Sequence, residues 1–279
     1  MTIRDYAFEG LPMPCPVIDA HTHMSEDYAS GWHQKPDKIT LESVISDYDR
    51  LGVNACVTAP HPIVQGRATY ANELALEAAE KYPDRIYCYI SVTPSEGMDA
   101  VRRSVERYTK NPHFVGFKFL GGYNGHYLEK EYQYALAAAN ELKCPVLCHK
   151  WGDSPKLTDF ITNLDRFPEV KLICAHLGGG SRDETLRAAE VVNAYGNFYL
   201  ETCGSLYTTT DIQEVVGLVG AKKIIFGTDV LNLDPRYDFG RVAFSPISDE
   251  DKKDIFAGNY LRLLETSQMG KITGLKTSF

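Results

Sequence analysis

Eight short apolar runs recur along the chain, and polar, helix-forming stretches separate them. That repetition constrains the fold more than any other feature of the sequence. The runs are "CPVIDAH" (15–21), "VNACVTA" (53–59), "RIYCYISV" (85–92), "FVGFKFL" (114–120), "PVLCHKW" (145–151), "VKLICAH" (170–176), "NFYLET" (197–202) and "KIIFGTD" (223–229). Their residues are β-branched, aromatic or aliphatic at consecutive positions, as in parallel strands buried on both faces. Their starts lie roughly 25 to 38 residues apart, about the length of a strand, a helix and two loops.

The stretches between them carry helix signals. "TLESVISDYDRLG" puts Leu41, Val44, Ile45, Tyr48 and Leu51 on one face and stops at Gly52. "YANELALEAAEKYPDR" ends at Pro83, and "KEYQYALAAANELKCP" must end before Pro145. "SRDETLRAAEVVNAYGN" opens with Ser181 and Glu184 at capping-box spacing. "TDIQEVVGLVGAKK" and "DEDKKDIFAGNYLRLLE" complete the helical set.

Alternation on this scale predicts one α/β domain over 1–279, a single (β/α)8 TIM barrel spanning about 15–265. Residues 1–14 and 266–279 form short arms that cover the bottom of the barrel or a neighbouring subunit in a homo-oligomer. An open doubly wound sheet is weaker, because no Gly-rich fingerprint follows the first strand.

Composition excludes several partners. A net charge of −8 with no basic run argues against nucleic acid. No apolar stretch of about 18 residues is available to span a membrane. The N-terminus has no signal-peptide pattern. Cys56, Cys88, Cys148 and Cys174 sit inside apolar runs, so the seven cysteines read as reduced, structural thiols of a cytoplasmic protein.

Chemistry concentrates where the runs end. His21 and His23 close the first, Lys118 the fourth, His149 the fifth, His176 the sixth and Asp229 the eighth. In β/α barrels the C-terminal strand ends carry the active site. His21 and His23, two residues apart, point the same way. Closure brings the eighth strand, and Asp229, beside them, while His149 reaches in from across the mouth. Three imidazoles and a carboxylate suit one divalent ion, Zn first, with Mn, Fe or Co also compatible. Each residue alone has an ordinary structural explanation; their joint placement favours the metal site.

"VIDAHTHM", "PVLCHKWG", "LICAHLGGG", "IIFGTDV" and "AGNYLRLL" together resemble the amidohydrolase superfamily, and within it the amidohydrolase-2 group that contains aminocarboxymuconate-semialdehyde decarboxylase. The resemblance implies a metal held by His21, His23, His149 and Asp229, with His176 beside it as acid/base catalyst. It also implies two states for Lys118. Binuclear members carbamylate a lysine on the fourth strand to bridge two ions. A mononuclear site leaves it as an ammonium that can hold a substrate carboxylate, and that is the favoured expectation.

Trp151 is expected to wall the pocket, and Arg182 and Arg236 are candidates for binding a small, anionic substrate. Glu201 is expected to be structural or to support a ligand from behind, and "GGGS" (178–181) to form a tight turn. The leading expectation for function is a metal-dependent hydrolase, whose activated water attacks an ester, lactone or amide. The alternative is non-oxidative decarboxylation of a carboxylated aromatic or dienoic acid with the same metal shell. A non-catalytic metal-bound barrel is a third reading, disfavoured by the presence of both His176 and Asp229.

Overall fold

The computed structural model describes residues 1–25 and 40–275. Eight parallel strands lie in sequence order in one sheet: β1 (Ile18–Thr22), β2 (Ala55–Thr58), β3 (Ile86–Val92), β4 (Phe114–Phe119), β5 (Pro145–Cys148), β6 (Lys171–Cys174), β7 (Phe198–Glu201) and β8 (Ile224–Ile225). Backbone bonds from Ala20 to Phe226 O (3.0 Å) and from Asp229 to His21 O (2.8 Å) join the last strand region to the first, so the sheet is a (β/α)8 barrel. The eighth run was expected over 223–229. Its regular ladder is only two residues long, because from Phe226 onward the backbone bonds to β1 and to the C-terminal segment instead.

Helices α1 (Ile3–Glu9) through α11 (Asn259–Glu265) follow as expected where cap signals are clear. In α2 (Leu41–Leu51), Thr40 caps the start and Gly52 ends the helix in the left-handed region. α3 is Ala68–Lys81, α5 Lys130–Glu141, α7 Arg182–Ala194 and α8 Thr209–Val219. Ser181 caps α7, but the Glu184 carboxylate does not complete the capping box; it turns to Lys150 and Arg187. Four helices, α1, α4 (Gly97–Tyr108), α6 (Leu157–Arg166) and α9 (Pro235–Ala243), occupy stretches to which the sequence assigns no helix. α9 (Pro235–Ala243) follows β8, and α10 (Asp249–Lys253) runs through a π-helical turn into α11.

Two apolar layers separate inside from outside. Ile18, Ala20, Ala55, Val57, Tyr87, Tyr89, Val115, Leu147, Ile173 and Ile225 fill the barrel with Tyr260 and Leu264 of α11. The opposite faces of the strands, among them Cys56, Ile90, Phe117, Phe119, Val146 and Leu172, pack under the helices. Thr273 N bonds to Tyr87 Oη (3.0 Å) and Gly270 N to Phe114 O (3.0 Å), so the C-terminal arm covers the bottom as expected; its residues 276–279 lie outside the described residues. The N-terminal arm instead lies along the outside, with α1 against α9 and Ile3 N bonded to Asp249 (3.1 Å).

Two register shifts decide which side chains enter the barrel. Between Asp19 and Thr22, three residue steps on β1 face two on β2 (Cys56 to Thr58). Between Phe114 and Gly116, two steps on β4 face one on β3 (Cys88 to Tyr89). Each extra residue is a bulge that reverses the in/out alternation beyond it. After the first bulge His21 and His23 share the inner side; after the second Lys118 does, while Phe117 and Phe119 face out. Gly116 at the β4 bulge has no room for a side chain, since a Cβ there would lie 2.3 Å from Pro145 O.

Candidate active site

His21 and His23 are both buried at the top of β1. His21 Nδ1 lies 3.0 Å from Glu201 Oε2 on β7, and His23 Nδ1 lies 2.6 Å from Ala59 O after β2. Both partners only accept hydrogen bonds, so each ring carries its proton on Nδ1 and presents the Nε2 lone pair. Those lone pairs meet at Asp229: its Oδ1 is 3.1 Å from His23 Nε2 and 3.6 Å from His21 Nε2. The ligand atoms of His21, His23 and Asp229 lie within 4.8 Å of one another. Two oriented imidazoles backed by a carboxylate and a carbonyl are the usual surroundings of a metal-binding pair, so the donor set fits a divalent cation.

Several elements hold these groups in place. Asp19, buried behind these side chains, accepts from Thr228 N (3.0 Å), Thr228 Oγ1 (2.5 Å), Tyr48 Oη (2.5 Å) and His21 N (3.1 Å), tying β1 to the segment that carries Asp229. Asn232 Nδ2 donates to Asp229 Oδ1 (2.9 Å), and its Oδ1 meets His61 Nε2 (2.8 Å), whose ring stacks on His23 at 5.0 Å. At Gly227 a Cβ would stand 2.3 Å from Glu201 Oε1 and 2.7 Å from His21 Cβ, so only glycine lets the strand pass beneath the site. Asp229 and His176 both sit in the left-handed backbone region, at φ 57 and 58. Strain of that kind in non-glycine residues concentrates at functional sites.

Across the mouth, His149 Nδ1 is 3.1 Å from His176 Nε2. Lys118 is buried and its Nζ reaches His21 Nε2 at 2.7 Å, so the ammonium and a cation compete for the same lone pair. The sequence reading missed Cys203. Its Sγ lies 2.9 Å from Glu201 Oε2, 3.0 Å from His176 Nδ1 and 3.3 Å from His21 Nδ1. All seven cysteines are buried free thiols, as expected, but Cys203 is among polar site groups rather than only apolar neighbours. Its position two residues after Glu201 was the available signal.

Burial dominates the electrostatics. It holds the imidazoles of His21 and His149 well below the usual range, with Lys118 adding to the effect at His21 and His176 adding to it at His149. It lowers His176 to about 4 and lowers the Lys118 ammonium. It pushes Glu201 up and Asp19 up to about 7. Burial also pushes the Asp229 carboxyl up, but the rings of His21, His23 and His176 outweigh it and keep that group well below the carboxylate range.

A depressed imidazole pKa stabilises the fold fully above the unfolded value near 6.5, and that contribution is lost as pH falls toward the folded value. Asp19, raised to about 7, acts in the opposite direction over the same window. The expected result is therefore differential: between pH 6.5 and 4 the chelator-treated wild type loses about 3 kcal/mol relative to His176→Asn in urea titrations. Parallel pH profiles for the two proteins contradict it.

A cavity of about 320 Å³ opens above these groups. His23, His149, His176, Asp229 and Asn232 form its polar end, and Val64, Leu120, Tyr123, Trp151 and Leu233 its walls. Trp151 is 42% exposed and meets the His176 ring edge-on at 5.4 Å. The two arginines expected to bind substrate are not brought here. Arg182, at the start of α7, faces solvent and pairs with Glu214 (Nε–Oε2 3.2 Å); Arg236 pairs with Asp234 (Nε–Oδ1 2.9 Å). Neither they nor Lys118 line the cavity, which has no Lys or Arg among its described lining residues. Gly178, Gly179 and Gly180 make the tight turn expected of "GGGS".

No curated protein matches the chain in sequence. Among solved structures it is similar to 2,6-dihydroxybenzoate decarboxylase from Rhizobium, with a TM-score of 0.73, 17% identity, and coverage of 90% of this chain and 98% of that one. It is also similar to a dihydroxybenzoic acid decarboxylase from Polaromonas sp. JS666 with bound manganese and 2-nitroresorcinol (TM-score 0.69, 19% identity, 90% and 96% covered). A third is 4-oxalomesaconate hydratase from Rhodopseudomonas palustris (TM-score 0.66, 18% identity, 90% and 96% covered). These likenesses establish the shared barrel. The model of the amidohydrolase-2 family, described as amidohydrolase, matches residues 18–266, from the first residue of β1 to just beyond α11. The chain belongs to the amidohydrolase family.

Proposed function

We propose that the protein is a metal-dependent carboxy-lyase that removes CO₂ from a small carboxylated aromatic or dienoic acid. The sequence reading put hydrolysis first; the decarboxylases among the similar structures support the alternative at least as well. The observation that carries the proposal is the cavity's polarity. With largely apolar and aromatic walls and no lining Lys or Arg among the described residues, the polar end formed by His23, His149, His176, Asp229 and Asn232 would take a substrate carboxylate through a bound cation. The planar remainder then lies against Tyr123, Leu120 and Trp151.

His21, His23 and Asp229 would hold one divalent ion, with His149 contributing the Nε2 left over from its contact with His176. Zinc is compatible with this set, and manganese is the ion named with the Polaromonas decarboxylase. Bound there, the ion supplies a positive charge that orients and neutralises the carboxylate. His176 is the proton carrier. Its low pKa keeps the ring neutral in the free protein, and an entering anion raises that pKa and favours its protonation. As the C–C bond to the carboxylate breaks, its electron pair passes to the substrate carbon, which takes the proton from His176. Lys118 remains an uncarbamylated ammonium in this proposal.

A hydrolytic reading retains one supporting observation: Asp229, ionised at the cavity floor, is placed to take a proton from water. A product assay separates the two. Protein purified without added metal is expected to contain about one divalent ion per chain. It should release ¹³CO₂ from carboxyl-labelled hydroxybenzoic or dienoic acids, and chelation should stop the release. Opening of esters or lactones with no CO₂ from any acid of the panel overturns the proposal in favour of hydrolysis.

A further inference from the structure

We infer that Cys203 is a positioning residue that sets the tautomer of His176 through a buried chain of hydrogen bonds ending at Glu201. This inference rests on the proposed function, in which His176 carries the proton and His149 is a ligand. Cys203 follows β7 by two residues, in a loop held from behind by Arg241, whose guanidinium donates to Thr202 O (3.0 Å) and Gly204 O (2.5 Å). Its own N–H donates to Glu201 Oε1 (2.6 Å). The thiol is fully buried, so no bulk water competes for its contacts.

Donor accounting gives the chain its direction. The Glu201 carboxylate accepts only, so Oε2 receives His21 Nδ1–H at 3.0 Å and the Cys203 S–H at 2.9 Å. With its proton so directed, Sγ is an acceptor, and His176 donates Nδ1–H to it at 3.0 Å. His176 Nε2 is then an acceptor and takes Nδ1–H from His149 at 3.1 Å, which leaves His149 Nε2 as a lone pair. Reversing the chain, with the thiol donating to His176, would protonate His149 at Nε2 and remove it as a ligand. Cys203 therefore holds the proton of His176 on Nδ1 and, through His176 Nε2, keeps the proton of His149 on its Nδ1 and the His149 Nε2 lone pair free. It does so without touching substrate, since it is not among the cavity's lining residues.

The test uses metal-free full-length protein labelled with ¹⁵N-histidine, because a metal on His149 Nε2 would itself fix both rings and long-range ¹H–¹⁵N correlation identifies the protonated ring nitrogen. His176 is expected to be the Nδ1–H form in the wild type and in Cys203→Ser, whose hydroxyl can donate and accept in the same way. In Cys203→Ala and in the space-filling Cys203→Val the tautomer ratio should shift about fivefold or more toward Nε2–H, the scale of one lost hydrogen bond. With an acid identified by the product assay, kcat should fall about tenfold in both variants at similar KM, and Ser should recover most of the loss. Val separates hydrogen bonding from packing, since it fills the space and cannot accept. Retention of Nδ1–H in both Ala and Val, or Nε2–H in the wild type, overturns the inference. Failure to bind zinc or to release CO₂ counts against the proposed function instead, and the ring spectrum still reports on Cys203.

Discussion

Replacing His176 with Asn is expected to lower kcat for CO₂ release by about 10³-fold while the metal content stays that of the wild type. The size follows from the ring's place in the cavity. It lines the polar end beside His149 and Asp229, and its Nδ1 lies 3.0 Å from the buried Cys203 thiol. Asn is the appropriate replacement because the backbone at this position has φ 58, a conformation that Asn tolerates better than most residues. The variant therefore removes the proton carrier without forcing the β6 loop to rearrange. Single-turnover CO₂ release and elemental analysis on the same preparation read the two quantities. Loss of the metal would move His176 into the ligand set, and an unchanged kcat would remove it from the chemistry.

Gly116→Ala is expected to destabilise the fold by about 3 kcal/mol, a large effect for one added methyl group. A Cβ at this bulge would stand 2.3 Å from the Pro145 carbonyl oxygen and 3.2 Å from its carbon, both backbone atoms that cannot rotate away. Relief requires β4 and β5 to separate or the bulge to be lost. Losing the bulge turns Lys118 outward and Phe117 inward, beneath His21 and His23, so metal binding at the proposed site should weaken along with stability. Gly217→Ala in α8 is the matched control, because nothing lies within 4 Å of its Cβ position. That variant should be neutral or gain a few tenths of a kcal/mol in urea titrations. Equal effects at the two glycines would show that the bulge does not depend on the missing side chain.

Much of the candidate site was legible because the ends of barrel strands converge. Once eight runs were recognised, His21, His23, His149, His176 and Asp229 were constrained to one mouth, and the structure brings them together there. Arg182 and Arg236 failed by the same logic used one step too far. Each lies at or near the start of a helix and pairs with a nearby carboxylate, Glu214 or Asp234, and neither lines the cavity. Cys203 was overlooked because burial of a thiol is ordinary, and only the rings around it give it a role.

Element order, the class of fold and the gathering of His21, His23, His149, His176 and Asp229 at one end were readable from the residues alone, because hydrophobic period, helix stops and strand spacing are local properties. So was the shared face of His21 and His23, since their separation of two residues is independent of any partner strand. Tertiary structure alone decided which face that is. Counting alternate residues from the inward-facing Ile18 would place His21 outside the barrel, and counting from Val115 would place Lys118 outside as well. One extra residue in β1 and one in β4 reverse both outcomes. A bulge exists only as a mismatch between two paired strands, and at Gly116 the carbonyl of Pro145, 29 positions away in the chain, leaves no room for a side chain. The tautomers of His149 and His176 are of the same kind: each depends on an acceptor contributed by another strand or loop, so neither is written in the residues next to it.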